Sequence, residues 1–198
     1  KLVAEMASLD GHGSDENKSK EVPGSKMAPD VKRSFILILL SIFFWFMAYN
    51  AVTTAFSKYA QDFLGIKGGG FANSLLLATA AAVVTFMPAG IIASKIGRKK
   101  TILGGIVLMF VSFVVAFTFT SYSPFINVLL VLIGMGWASI NVNSYPMVVE
   151  MAKGSDVGKF TGYYYTSSMA GQILTPILSG ALLEHVGYRT LFPYAAFF

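Results

Sequence analysis

The 198-residue chain is 55% hydrophobic and only 13% charged, whereas a soluble globular domain usually carries about a quarter charged residues. This composition excludes an ordinary soluble domain and is typical of an integral membrane protein. The net charge of +5 could indicate nucleic-acid binding, but most cations after residue 34 lie in short loops between apolar runs. Such cations orient a protein in a bilayer, so we expect no nucleic-acid partner. The sequence has no cysteine for disulfides or thiolate metal sites, and we expect neither a metal nor a cofactor.

The first 34 residues differ sharply from the rest, with six basic residues, six acidic residues and no aromatic residue. Such a segment cannot bury enough apolar surface to offset the entropy lost on ordering it. We therefore predict that residues 1–34 form a disordered cytoplasmic tail or loop. The chain starts at Lys1 and stops at Phe198 within an apolar run that is shorter than the roughly 20 residues a spanning helix needs. We expect it to be a piece of a longer protein.

Apolar segments of spanning length predict an all-α integral membrane protein. The runs exceed 20 residues and do not alternate apolar with polar residues, which argues against β-strands. The predicted spans are 35–56, 71–94, 101–122, 124–150 and 160–184, with an incomplete sixth at 189–198.

The distribution of Lys and Arg predicts the orientation of these spans. Eight cations fall on one side of the membrane (Lys32, Arg33, Lys95, Arg98, Lys99, Lys100, Lys153 and Lys159) and three on the other (Lys58, Lys67 and Arg189). By the positive-inside rule the richer side is cytoplasmic. Residues 1–34 and the 95–100 turn are therefore predicted to be cytoplasmic, in a plasma or inner membrane.

Polar residues recur on one face of the first, fourth and fifth spans. Such groups in a membrane are costly unless they are hydrogen-bonded, and they usually face a bundle interior or an aqueous cavity. Amides offer donors and acceptors, and an indole can pack against a sugar ring. The candidate solute-binding residues are Asn50, Thr54, Trp137, Asn141 and Gln172. The alternative for each residue alone is hydrogen bonding between helices, which membrane bundles use routinely.

An intramembrane enzyme is not expected. The only histidines are His12 in the tail and His185 in a loop, and no G-x-S-x-G motif occurs.

The basic turn "GIIASKIGRKKT" (Gly90–Thr101) resembles the motif G-x-x-x-D-R/K-x-G-R-K/R of major facilitator superfamily transporters. Gly90, Lys95, Gly97, Arg98 and Lys99 match, whereas Ser94 replaces the aspartate. "YPMVVEMAKGSDVGKFTGYYY" is similar to the end of the tenth helix and the start of the eleventh in sugar-transporting members, and "SSMAGQILTPILSGALLEHVGYRTLF" is similar to the eleventh helix and its exit. "NAVTTAFSKYAQDFLGI" resembles the sucrose-proton and glycoside cation symporter branches.

The resemblance covers residues 35–198 and implies the second six-helix half of a twelve-helix bundle, with the N-terminal half missing. It implies that the basic turn acts as a conformational gate, with Arg98 paired to Glu150. The candidate gate residues are Gly90, Lys95, Gly97, Arg98 and Glu150. The alternative is that Arg98, Lys99 and Lys100 only anchor the turn to lipid phosphates.

The function expected from these patterns is secondary transport of a small polar solute, such as a sugar or glycoside, by alternating access. The expected partners are that solute, the lipid bilayer and the missing half. Coupling to protons or another cation stays open, because no carboxylate lies in the middle of a predicted span. A receptor or scaffold with a transporter fold is the alternative.

Overall fold

Long α-helices make up most of the structure, a computed structural model that describes residues 29–152 and 156–198. In chain order the helices are α1 (Pro29–Lys58), α2 (Gly70–Ile96), α3 (Arg98–Phe117), α4 (Phe125–Val149), α5 (Val157–His185) and α6 (Leu191–Phe197). A π-helical turn, Tyr59–Phe63, extends α1, and a 3₁₀ turn, Tyr188–Thr190, precedes α6. The described residues contain no β-strand.

Four of these helices are long and apolar enough to cross a membrane. They are α1 with its π-helical turn, α2, α3 and α4. Helix α5 has 29 residues, which exceeds the roughly 20 needed to span, but its tyrosines, serines and threonines make it less apolar. Helix α6 has only seven residues. The predicted fold class, an all-α integral membrane protein, is confirmed.

Helix α1 begins earlier than the predicted span. Its first residue is Pro29, so residues 29–34 form the start of a helix and not the end of a tail. Pro is favoured at the first helical position, where an N–H would have no partner, and Asp30 favours the positive end of the helix dipole. Residues 1–28 of the predicted tail lie outside the described residues, as does Lys153 of the predicted cytoplasmic loop.

The connections on either side of α3 also differ from the predicted ones. Helices α2 and α3 are joined by Gly97 alone, whose φ of +93° is readily adopted by glycine. The cations that follow, Arg98, Lys99 and Lys100, form the first turn of α3. Helix α3 ends at Phe117 and not near residue 122, because the Ser- and Thr-rich residues that follow favour turns over helix.

Small residues allow the helices to approach closely at three crossings. Helix α4 packs against both α2 and α3, and α1 packs against α5. A Cβ atom added to Gly105 on α3 would lie 2.8 Å from the Gly136 carbonyl oxygen on α4. A Cβ on Gly171 of α5 would lie 2.8 Å from the Phe43 carbonyl of α1, and one on Gly134 of α4 would collide with the backbone of Ala78 on α2. These positions require the absence of a side chain.

The short helix α6 is held by aromatic contacts at the end of the bundle opposite the basic turn. The ring of Phe192 lies 5.1 Å from the Tyr59 ring and 6.4 Å from the Phe113 ring. The Arg189 guanidinium lies 5.1 Å above the ring of Phe117. Helix α6 therefore connects α1 with α3.

Candidate functional site: a neutral cavity and a charged pair

A cavity of about 420 Å³ opens between α1, α4 and α5. Its lining residues are Phe46, Asn141, Val142, Tyr145, Pro146, Tyr164, Tyr165, Ser168, Met169 and Gln172. None of these side chains is charged, and three of them are tyrosines. The cavity thus combines aromatic faces with amide and hydroxyl groups, which suits a neutral solute that has both a ring face and polar substituents.

A hydrogen-bonded group joins α4 to α5 at the wall of this cavity. The Tyr164 hydroxyl donates to Asn141 Oδ1 over 3.2 Å and lies 3.2 Å from Ser144 Oγ. Tyr164 and Ser144 are buried, whereas Asn141 is half-buried. A second link joins the Tyr145 hydroxyl to Thr161 Oγ1, also 3.2 Å apart. These bonds fix the facing sides of the two helices.

The structure brings two of the five predicted binding residues together, because Asn141 and Gln172 both line the cavity. Thr54 lines a separate cavity of about 480 Å³, which also contains Lys58, Glu184 and Tyr188. Asn50 lines neither cavity. Its amide donates to the Phe46 carbonyl of its own helix over 2.8 Å.

Trp137 belongs to an aromatic cluster and is absent from the cavity wall. Its ring is stacked on Tyr49, with centroids 3.9 Å apart and planes 11° apart. Trp45 and Phe46 lie 4.9 and 5.1 Å from the same ring. Phe46 also lines the cavity, so Trp137 packs against a residue of the cavity wall without lining the cavity itself.

The second cavity lies at the opposite end of α1 and α5 from the basic turn. Its polar residues include Lys58, Glu184 and Tyr188. The neighbouring Asp62 carboxylate raises the pKa of the Tyr188 phenol above its ordinary value. The chemistry here is charged and differs from that of the neutral cavity.

Arg98 and Glu150 form an ion pair between the start of α3 and the end of α4. Glu150 is the residue that follows the last turn of α4. The hydrogen bond from Arg98 holds the pKa of the Glu150 carboxyl below its usual range, against a smaller opposing effect of desolvation. The contact expected from the motif is therefore present, while its role in a gate stays a prediction. Both partners belong to the same packed unit of α2, α3 and α4.

The other gate candidates, Gly90, Lys95 and Gly97, lie on α2 or at its end and take part in no ion pair among the described residues. Lys95 and Gly97 are exposed, and Gly90 has open space where a Cβ would lie. Ser94, which replaces the motif's aspartate, is exposed and donates to the Ile91 carbonyl of its own helix over 2.7 Å. Ser94 therefore satisfies its hydroxyl locally.

Tyr164 lines the cavity but is absent from the five binding residues predicted from the sequence. Residues 164, 168 and 172 are spaced four apart and so lie on one helical face. That spacing places Tyr164 on the same stripe as Ser168 and Gln172. Two of the three tyrosines at 163–165, Tyr164 and Tyr165, line the cavity, whereas Tyr163 packs on Phe35 and Phe160.

Six helices packed through small residues, a neutral cavity between α1, α4 and α5 and a basic α2–α3 turn define a membrane protein of the transporter class. Residues 38–198 match the Major Facilitator Superfamily, and the chain belongs to this family. Members of this family are generally transporters and not enzymes.

Two proteins from Metarhizium species are similar in sequence to this chain. The chain is 31% identical over 127 residues to the MFS-type transporter ppzB of Metarhizium majus, a match that covers 64% of this chain and 28% of that protein. It is 31% identical over 126 residues to the protein of the same name from Metarhizium rileyi, which covers 63% of this chain and 26% of that protein. The matched region thus spans little more than a quarter of these relatives.

Proposed function

We propose that this chain is the C-terminal half of a secondary transporter that moves a small neutral polar solute, such as a sugar or glycoside, by alternating access. The observation that carries this proposal is the cavity between α4 and α5, where Asn141 and Gln172 face three tyrosine rings without any charged lining residue. A solute in this cavity would also contact the missing N-terminal half.

The cavity's chemistry favours a hydroxyl-bearing ring over an ion. Aromatic faces pack against the apolar face of a sugar ring, and amides supply both donors and acceptors to hydroxyl groups. A charged solute would leave its charge unpaired in a low-dielectric site, which is costly.

Coupling to a proton or another cation is part of the proposal only if the missing half supplies the titratable group. Among the described residues the carboxylates are Asp30, Asp62, Glu150, Asp156 and Glu184. All of them lie at or near helix ends, away from the cavity. A mid-membrane carboxylate, where one exists, therefore belongs to the other half.

Counterflow with the complete protein in liposomes tests this proposal. Labelled glucose, sucrose and phenyl β-D-glucopyranoside serve as the neutral probes, and labelled alanine serves as a zwitterionic control. We expect exchange of at least one carbohydrate probe and none of alanine. Binding without exchange would favour the receptor or scaffold alternative, and exchange of alanine alone would contradict the carbohydrate assignment.

A further inference from the structure

We infer that Tyr164 is a positioning residue that fixes the Asn141 amide as a hydrogen-bond donor to the solute, so that the cavity selects a ring with two adjacent hydroxyl groups. This inference rests on the proposed function and adds the feature of the solute that is recognised. It follows from the hydrogen bonds around Asn141 and from the position of Pro146.

The first step is the orientation of the Asn141 side chain. Its Oδ1 accepts from the Tyr164 hydroxyl over 3.2 Å, and a planar carboxamide that accepts on one side presents its N–H₂ group on the other. In the part of the chain that the structure describes, Asn141 Nδ2 has no acceptor. Because Asn141 lines the cavity, this N–H₂ group is available to a solute oxygen.

The second step is the hydroxyl of Ser144, which holds Tyr164 in place. Ser144 Oγ lies 3.2 Å from the Tyr164 oxygen and also 3.2 Å from the Asn141 carbonyl oxygen. The Tyr164 hydrogen is used by Asn141 Oδ1, so the Ser144 hydrogen can serve either the Tyr164 oxygen or that carbonyl. Both hydroxyls are buried, where water competes poorly for these bonds.

The third step is the backbone carbonyl of the residue after Asn141, which lacks its usual N–H partner in the helix. Pro146 has no N–H, so the Val142 carbonyl, four residues earlier, lacks its partner within the helix. Pro146 and Val142 both line the cavity, and no side chain of the described residues donates to that carbonyl. The donor of Asn141 and the acceptor of Val142 therefore belong to consecutive residues of α4.

A pair of adjacent ring hydroxyls complements this arrangement. One hydroxyl accepts from the Asn141 amide, and its neighbour donates to the Val142 carbonyl. The tyrosine rings of the cavity then face the ring of the solute. An analogue that lacks one of the two hydroxyls leaves the Asn141 amide or the Val142 carbonyl without its solute partner, and sites that hydrogen-bond a solute hydroxyl discriminate against such analogues.

Competition by deoxy analogues tests the inference on the complete protein in liposomes. The probe is labelled phenyl β-D-glucopyranoside, and the competitors are the same glucoside and its monodeoxy analogues. The variants are Tyr164→Phe and, as a matched control, Tyr163→Phe. Tyr163 lies next to Tyr164 but packs on Phe35 and Phe160, away from the cavity.

In the wild type we expect two adjacent ring hydroxyls to matter. Removal of either one should weaken competition by the analogue, whereas removal of any other ring hydroxyl should have little effect. Tyr164→Phe should reduce this discrimination by roughly three- to tenfold, the scale of one neutral hydrogen bond. Tyr163→Phe should leave it unchanged. In an Asn141→Ala background, Tyr164→Phe should have no further effect, because Tyr164 acts through Asn141.

Two results separate failure of the inference from failure of the proposed function. A wild type that exchanges no carbohydrate probe contradicts the proposed function and, with it, this inference. A wild type that exchanges the glucoside while Tyr164→Phe keeps full discrimination contradicts the inference alone. A uniform loss of transport with an unchanged ratio between analogues would also contradict it, since that is the effect of a purely structural tyrosine.

Discussion

The side chain of Asn141 provides the sharpest test at the scale of single residues. Asn141→Ala removes a donor from the cavity wall, and we expect carbohydrate counterflow to fall about tenfold, with a raised half-saturation concentration. Asn143→Ala is the matched control, because Asn143 is buried and its amide donates to the Ser139 carbonyl of its own helix. Equal losses in the two variants, normalised to folded protein, would contradict the role of Asn141.

The ion pair of Arg98 and Glu150 is tested by exchanging its charges. We expect Arg98→Glu and Glu150→Arg to impair transport singly, and the double variant to recover part of the loss, because the opposite charges face each other again. Counterflow rates of the three variants give the answer. A double variant no better than the worse single variant would support simple lipid anchoring instead.

The same pair predicts a dependence of stability on pH. The Arg98 hydrogen bond lowers the pKa of Glu150 from its ordinary value of 4.5, so the stabilising contribution is fully present above about that pH. It is lost as the pH falls through the lower pKa of the folded protein. The thermal midpoint of the wild type should therefore exceed that of Glu150→Gln at pH 7 and approach it in more acidic detergent solution. A constant difference across this range would contradict the prediction.

Helix packing depends on which of two neighbouring glycines is changed. Gly105→Ala would place a Cβ atom 2.8 Å from the Gly136 backbone oxygen, whereas Gly104→Ala meets nothing within 4 Å. We expect Gly105→Ala to lower the thermal midpoint by several degrees, because α3 and α4 must separate to admit the methyl group. Gly104→Ala should leave it unchanged or slightly raised, since Ala favours helix. Similar midpoints for both would contradict the close crossing.

The elements themselves were largely predictable from the sequence, while several of their ends were not. The long apolar runs indicate helices, because a helix forms all of its backbone hydrogen bonds within one segment and so needs no water in the lipid. The ends of the helices depend on local backbone conformation and capping, which a hydropathy pattern does not show. Pro29 and Asp30 start α1 within a polar segment, and Gly97 alone joins α2 to α3.

The candidate site was only partly predictable from the sequence. Periodicity shows which residues share one face of a helix, but it does not show which other helix packs against that face. Asn141 and Gln172 meet because α4 and α5 turn those faces towards each other. Trp137 lies on a polar stripe too, yet its ring is stacked on Tyr49. That contact depends on the packing of α4 against α1, which no pattern within α4 reveals.

The orientation of the whole molecule in the membrane can be tested with cysteine labelling. This chain has no cysteine of its own, so in a protein whose other cysteines are replaced Lys67→Cys adds an exposed thiol just before α2 and Lys99→Cys adds one just after it. We expect an impermeant maleimide to label Lys67→Cys on intact cells and Lys99→Cys only after permeabilisation, because the basic turn is predicted to be cytoplasmic. Labelling of Lys99→Cys on intact cells would contradict this topology.

Gly97 has a consequence for how the length of this region can vary. A helix turns by about 100° per residue, and the joint between α2 and α3 is this one residue, bonded to Ala93 on one side and Thr101 on the other. An insertion between Arg98 and Gly105 would turn one of them by about 100° relative to the other, so that α3 could not keep both the contact of Arg98 with Glu150 and that of Gly105 with Gly136. Substitutions near this joint can therefore accumulate one at a time, while insertions and deletions between Arg98 and Gly105 should be rare among the protein's relatives.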